Sequence, residues 1–341
     1  MVSTLRWGII STGKIAEAFA KDLVVDPKTR DVQDVAHKIA AVGSRSVDSA
    51  QSFIDRILGG DKDIKAYGSY AELYADSNVD AVYIGTPHTF HYENALNGIK
   101  SGKHVLCEKP VTSNAAELRS LIAAAKEKNV FFMEALWTRF QPLALEFKKI
   151  SESGILGKPL VLHADLSGDF DIQTLFEHPS NKLSKPSSIT GSILKTPITG
   201  VDANTTFTLN FSEAELSAQA ALSCSINANS FGGGSGAGVT IRYERGSIHI
   251  GEPIYCPSSF TVTYLDKENG KNRVVKEEKR FFEYVGVGWH FQADEVARCV
   301  RDGKIESDVW THQKSLLQME IFDEVRRQGG YVLPPGVEKV V

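Results

Sequence analysis

Cysteine is scarce in this chain. The four residues, Cys107, Cys224, Cys256 and Cys299, lie far apart and form no C-x-x-C pair. That excludes a disulfide scaffold and the usual metal-ligand spacings, and it points to free thiols in a reducing compartment. An excess of basic residues is missing too. A net charge of −4 leaves no positive field to hold nucleic acid or an anionic membrane. No apolar run approaches the roughly 20 residues of a membrane span, and Met1 to Ile10 lacks the apolar core of a signal peptide. The expectation is a cytoplasmic protein without metal, nucleic-acid or membrane partners.

What is present is ordinary for a soluble globular protein: 42% hydrophobic and 23% charged residues. A length of 341 residues suggests about two domains. The organising stretch is Val105-Leu-Cys-Glu-Lys-Pro110. An apolar run bounded by Gly102 and Pro110 reads as a short buried strand ending in two charged residues. In open α/β sheets ligands bind outside the carboxyl ends of the strands, so Lys109 is a candidate site residue.

Upstream, Leu5–Ile10 reads as a strand running into Ser11-Thr12-Gly13-Lys14-Ile15-Ala16, and Ile15, Phe19 and Leu23 recur with helical spacing. Strand, tight turn and helix start together make an anion site. The segment matches the dinucleotide fingerprint G-x-G-x-x-G/A with serine in the first glycine position. A second strand, His37–Gly43, ends in Ser44-Arg45 with no carboxylate before Asp48. An NAD site needs an acid there for the ribose hydroxyls, whereas a 2′-phosphate favours arginine, so the pattern points to NADP. The stretch Asp26–Ala36, rich in charge and poor in periodicity, reads as an insertion.

Strands and helices then alternate. Helices are expected at Ser46–Leu58, Tyr70–Tyr74, His88–Ser101 and Asn114–Lys128, and strands at Ile64–Tyr67, Val79–Gly85, Lys103–Cys107 and Val130–Ala135. Such alternation implies a doubly wound parallel sheet. It brings Thr86-Pro87-His88, Glu108-Lys109-Pro110 and Trp137-Thr138-Arg139 to the carboxyl ends of three strands.

Three motifs, Gly85-Thr-Pro-His-x-x-His91, Gly102-Lys-His-Val-Leu-Cys-Glu-Lys-Pro110 and Met133-Glu-Ala-Leu-Trp-Thr-Arg139, resemble the Gfo/Idh/MocA oxidoreductase family. Within it they resemble the branch of dimeric dihydrodiol dehydrogenases and fungal NADP-dependent D-xylose 1-dehydrogenases. The resemblance covers the first 170 residues and resumes near Leu175, notably in Trp289–Val300 and Ser315–Gly330. It implies an α/β Rossmann domain over residues 1–140. Residues 141–341 would form an α+β domain with an open, mostly antiparallel sheet, through which a homodimer forms. It also implies transfer of a hydride from an aldose such as D-xylose, or from a trans-dihydrodiol, to NADP⁺. Lys109 would be the catalytic lysine, held by Glu108 and Pro110. Trp137 and Arg139 would border cofactor and substrate, Trp137 touching the latter. Ser11 to Ile15, Ser44, Arg45, Thr86, Pro87 and His88 would bind cofactor, while His91, inside the helix, reads equally as a structural residue or as one near the cofactor.

Between Asp171 and Leu175 the resemblance breaks. Relatives carry there a glycine-rich segment whose tyrosine is the general acid–base, and this chain has no tyrosine between Tyr92 and Tyr243. The second domain thus reads as truncated near 171–175, with Asp171 and His178 as possible substitutes for the lost groups. The alternative function is a catalytically impaired or non-catalytic NADP(H)-binding homologue, either a regulatory protein or a splice or gene-model variant. Strands of the second domain are expected at Lys158–Leu166, Asp202–Phe211, Leu216–Ser225, Val239–Tyr243, Ser247–Ile250, Phe260–Leu265 and Val274–Arg280. Arg245-Gly246 would be a hairpin turn.

Overall fold

The structure is a computed structural model that describes residues 2–165, 185–197, 200–213, 216–225, 238–251, 253–268 and 271–341. The break at 171–175, with Asp171 and His178, lies outside the described residues. The chain divides into two compact units. The first comprises Met1–Phe140, Tyr284–Met319 and Leu333–Val341, the second Gln141–Glu283 and Glu320–Val332.

The first unit is built on a parallel six-stranded sheet: β1 (Ser3–Ile10), β2 (Val35–Gly43), β3 (Lys65–Tyr67), β4 (Ala81–Ile84), β5 (His104–Glu108) and β6 (Phe132–Ala135), in the order β3-β2-β1-β4-β5-β6. The central strands are apolar runs because both faces are covered. Trp7, Ile9, Ile10, Val82, Tyr83 and Leu106 are fully buried. The helices α1 (Lys14–Leu23), α2 (Val47–Ile57), α3 (Tyr70–Ala75), α4 (His91–Lys100) and α5 (Ala115–Lys128) connect them. Their starts follow capping chemistry: the side chains of Ser46, Ser69 and Asn114 accept the N–H groups of Ser49, Glu72 and Glu117. The residues at His88–Phe90 form a 3₁₀ turn before α4 begins, shortening the helix expected from His88.

Two sets of buried polar contacts tie later parts of the chain into this unit. The charged stretch after α1 contains a 3₁₀ turn at Pro27–Arg30, and Arg30 is not solvated. Its guanidinium holds Asp294 bidentately, at 2.7 and 2.8 Å, with both side chains 2% exposed. The Trp7 indole donates to His37 Nδ1 at 3.2 Å, so Nε2 carries the hydrogen facing Asp294 Oδ1 at 2.9 Å. Asp22, on the buried side of α1, uses its carboxylate to accept the N–H groups of Val287, Gly288 and Trp289 at 2.7–3.0 Å. These contacts bind α7 (His290–Arg301) and the loop before it into the first unit.

The second unit opens with α6 (Pro142–Glu152), whose Leu143, Phe147 and Ile150 form one buried stripe. Its sheet runs β14-β13-β12-β11-β7-β10-β9-β8. The strands are β7 (Pro159–Asp165), β8 (Ser188–Lys195), β9 (Asp202–Ser212), β10 (Ser217–Ser225), β11 (Val239–Tyr243), β12 (Gly246–Ile250), β13 (Ser259–Glu268) and β14 (Lys271–Phe281). All neighbours are antiparallel except β7 and β10, which are parallel. The β11–β12 turn is Glu244-Arg245, one residue earlier than expected, because Gly246 already pairs with Tyr243. The final helix, α8 (His312–Gln328), ends in this unit, where the Gln328 side chain accepts the Gly191 N–H at 2.7 Å.

Candidate active site

The order of the parallel sheet reverses between β1 and β4, and the crevice this creates is where ligands sit in open α/β folds. A cleft of about 870 Å³ lies there. It is lined by Ser11, Thr12, Gly13 and Ile15 after β1, by Ser44 and Arg45 after β2, and by Gly85, Thr86 and Pro87 after β4. Three strand ends that the sequence marked separately therefore converge. Tyr70 of α3, together with Phe90, Glu93, Asn94, Leu96 and Asn97 around α4, completes the wall. These six were missed because their side chains read as ordinary helix-surface residues.

Ser11 carries φ of +97°, a conformation that glycine adopts freely and that costs other residues of order 1–3 kcal/mol. Its hydroxyl accepts the Gly13 N–H at 3.2 Å, a contact that glycine could not make. Close packing of α1 on the sheet comes from the third fingerprint position, where Ala16 is fully buried. A Cβ on Gly85 would meet Tyr83 Cε1 at 2.9 Å and Ile15 Cγ2 at 3.2 Å. The first turn of α1, whose N–H groups lack intrahelical partners, therefore opens onto the cleft. Ser44 is buried with its hydroxyl 3.3 Å from that of Thr12, whereas Arg45 projects at the exposed rim. Lys14 is exposed on α1 and does not line the cleft.

The neighbouring strand end is organised by buried polar groups. Glu108 is 3% exposed and accepts from the Tyr83 hydroxyl at 2.7 Å. Burial and the Glu108 charge push the Tyr83 phenol well above its ordinary value, so it serves as a donor throughout the physiological range. Lys109 follows, half-buried, with its own N–H 3.3 Å from Glu108 Oε2. His88 Nε2 is 3.0 Å from the Thr112 carbonyl. Trp137 stacks on Trp289 with ring centres 4.7 Å apart, and the Arg139 guanidinium lies 5.8 Å from the Trp310 ring centre. Both are buried among these partners, and His88, Glu108, Lys109, Trp137 and Arg139 are not among the residues lining the cleft. No group of His, Cys, Asp and Glu suited to a metal occurs among the described residues, none of whose helices is long and apolar enough to cross a membrane.

Residues 5–136 match the family model described as an oxidoreductase family with an NAD-binding Rossmann fold. The chain is 35% identical to a D-xylose 1-dehydrogenase (NADP(+)) of Hypocrea jecorina, over 97% of this chain and 93% of that protein. It is 32% identical to a trans-1,2-dihydrobenzene-1,2-diol dehydrogenase of Sus scrofa, over 97% and 98%. Among solved structures, a levoglucosan dehydrogenase in complex with NADH and L-sorbose superposes with a TM-score of 0.79 at 15% identity, covering 96% of this chain and 97% of that one. This last likeness shows the shared fold. The Hypocrea alignment runs over 374 residues against a chain of 341, so at least 33 aligned positions have no counterpart here.

Proposed function

The chain is a member of the Gfo/Idh/MocA oxidoreductase family, and from that membership we propose that it is an NADP-dependent dehydrogenase taking a hydride from an aldose or a trans-dihydrodiol. The observation that carries the cofactor choice is the rim of the cleft, where β2 ends in Ser44-Arg45 without a carboxylate. NADP⁺ would supply the hydride acceptor. Thr12, Gly13 and the first turn of α1 would hold its pyrophosphate, with Ser44 and Arg45 on the 2′-phosphate. Thr86, Pro87 and His88 would shape the wall beyond. Lys109 would sit beside the reacting carbinol, where a cation favours developing alkoxide, and Trp137 would confine the substrate. The xylose and dihydrodiol activities of the relatives support this substrate class.

The cofactor reading is tested by thermal unfolding with and without NADPH or NADH. Ligand at 100 times its dissociation constant adds about 2.7 kcal/mol. A clear shift with NADPH and little with NADH is expected, and equal shifts would overturn the NADP assignment. Arg45→Ala should cost about 1.5 kcal/mol of NADPH affinity, roughly tenfold, and leave NADH untouched. Fluorescence titration of both dinucleotides reads this difference.

A second reading is favoured by the absence of any tyrosine between Tyr92 and Tyr243 and by the gapped alignment. It holds that the chain binds NADP(H) without turning over. Dinucleotide binding without NADPH formation on any aldose or diol would select it. Assembly as a homodimer through the second unit's sheet is part of the proposal, supported by β8, none of whose residues is buried. Cytoplasmic residence is supported by Cys107, Cys224 and Cys299, whose thiols form no disulfide.

A further inference from the structure

Four consecutive residues after Lys109 are each held through the backbone by a side chain from elsewhere in the first unit. The Pro110 carbonyl lies 2.8 Å from His91 Nδ1, while His91 Nε2 is 2.9 Å from the Thr86 carbonyl. The Val111 N–H donates to Glu134 Oε1 at 3.2 Å. The Thr112 carbonyl faces His88, and the Ser113 N–H donates to Glu117 at 2.8 Å. His91 and Glu134 are 2% exposed, so neither bond competes with bulk water. Glu134 is itself fixed on its other oxygen by the Ser315 hydroxyl at 2.7 Å and the Trp310 indole at 3.3 Å.

We infer that His91 and Glu134 are positioning residues for Lys109, acting through the backbone of Pro110 and Val111. The inference rests on the reading of Lys109 as the group that serves the reaction. His91, at the start of α4, holds the Pro110 carbonyl when Nδ1 carries the hydrogen, and reaches the Thr86 carbonyl as well only when both ring nitrogens are protonated. Glu134 ties the same loop to β6 and to the segment Trp310–Ser315. A lysine side chain is long and rotamer-rich. Its ammonium can be held only if its backbone is fixed, and two buried clamps on the next two residues do that.

The test is trace acetylation of the full chain across pH, with Lys109 followed by mass spectrometry. His91→Asn and Glu134→Gln should each change the rate and pH midpoint of Lys109 labelling several-fold relative to other lysines. Ser315→Ala keeps the carboxylate on Val111 and on the Trp310 indole but removes one hydrogen bond from its second oxygen, and should act in the same direction more weakly. Together with His91→Gln it carries the test if the first two variants do not fold. Tyr67→Phe is the control for destabilisation, since the Tyr67 hydroxyl donates to the buried Asp76 carboxylate at 2.9 Å from β3, the edge strand opposite β6. Unchanged Lys109 labelling in folded variants overturns the inference, as does an equal change in Tyr67→Phe. In a wild-type chain that turns over, the clamp variants should lose about ten- to a hundredfold in kcat with the NADP⁺ KM unmoved. Failure of NADP⁺ to protect Lys109 from labelling would count against the cofactor reading and leave the loop result intact.

Discussion

Lys109→Ala should lower NADPH formation from an aldose or diol by about 10²- to 10³-fold, the range for loss of one group that stabilises a developing oxyanion. The loss should fall on kcat, with NADPH affinity within a few-fold of wild type, because the residues around the β1–β4 crevice are unaltered. Lys109 is half-buried at the carboxyl end of β5, and truncating it there removes a charge without opening a core cavity. The unfolding midpoint should move little. Steady-state kinetics with D-xylose and a trans-dihydrodiol, beside a fluorescence titration of NADPH, separates these quantities. Wild-type rates in the variant would remove Lys109 from the mechanism. A parallel loss of affinity and stability would make it a structural residue.

Asp294→Ala is expected to be the most destabilising single change in the first unit, by about 3–5 kcal/mol, because it strands the buried Arg30 guanidinium. Urea unfolding at neutral pH gives the value. The double change Arg30→Met with Asp294→Leu should recover much of the loss, since an apolar pair replaces two charges that were costly to bury. A double variant no better than Asp294→Ala would show that the loss does not come from the stranded charge. The pair also sets a pH dependence. Burial pushes the Asp294 carboxyl up, but hydrogen bonds from Arg30 and His37 outweigh it and hold the group below its usual range. A depressed carboxylate contributes its stability above the unfolded value, about 3.9, and loses it as pH falls through the folded value. The wild type should therefore lose its advantage over Asp294→Ala below about pH 4. An advantage that does not shrink as pH falls below about 4 would contradict the assignment.

The fold was legible where burial is two-sided. β1 from Trp7 onward, β4 and the middle of β5 are continuous apolar runs followed by polar residues, and each strand was placed to within about two residues by that pattern. α6 was equally legible: Pro142 opens it and Leu143, Phe147 and Ile150 repeat at helical spacing, but this signal was passed over. β8 gives a weaker signal: none of its eight residues is buried, and its inner face, Ile189, Gly191 and Ile193, is only partly covered and includes a glycine. Of the cleft, the Ser11–Gly13 turn and the Ser44-Arg45 strand end were readable because glycine-like turns and the lack of an acid are local properties. The buried pair of Arg30, outside the cleft, was not, because a sequence shows a charge without showing its partner 264 positions away. The roles of His91 and Glu134 escaped for the same reason: both act on backbone atoms of a loop distant in sequence.

The closing of the first unit by Tyr284–Met319 bears on how the protein is made. Arg30 and His37 leave the ribosome long before Asp294 exists. At roughly 5–20 residues per second, the interval is about 13–50 s. During that time a cation, an imidazole and the apolar face they border have no covering helix, which is the condition under which chaperones engage a nascent chain. Losing the end of this polypeptide would therefore be felt first at its beginning.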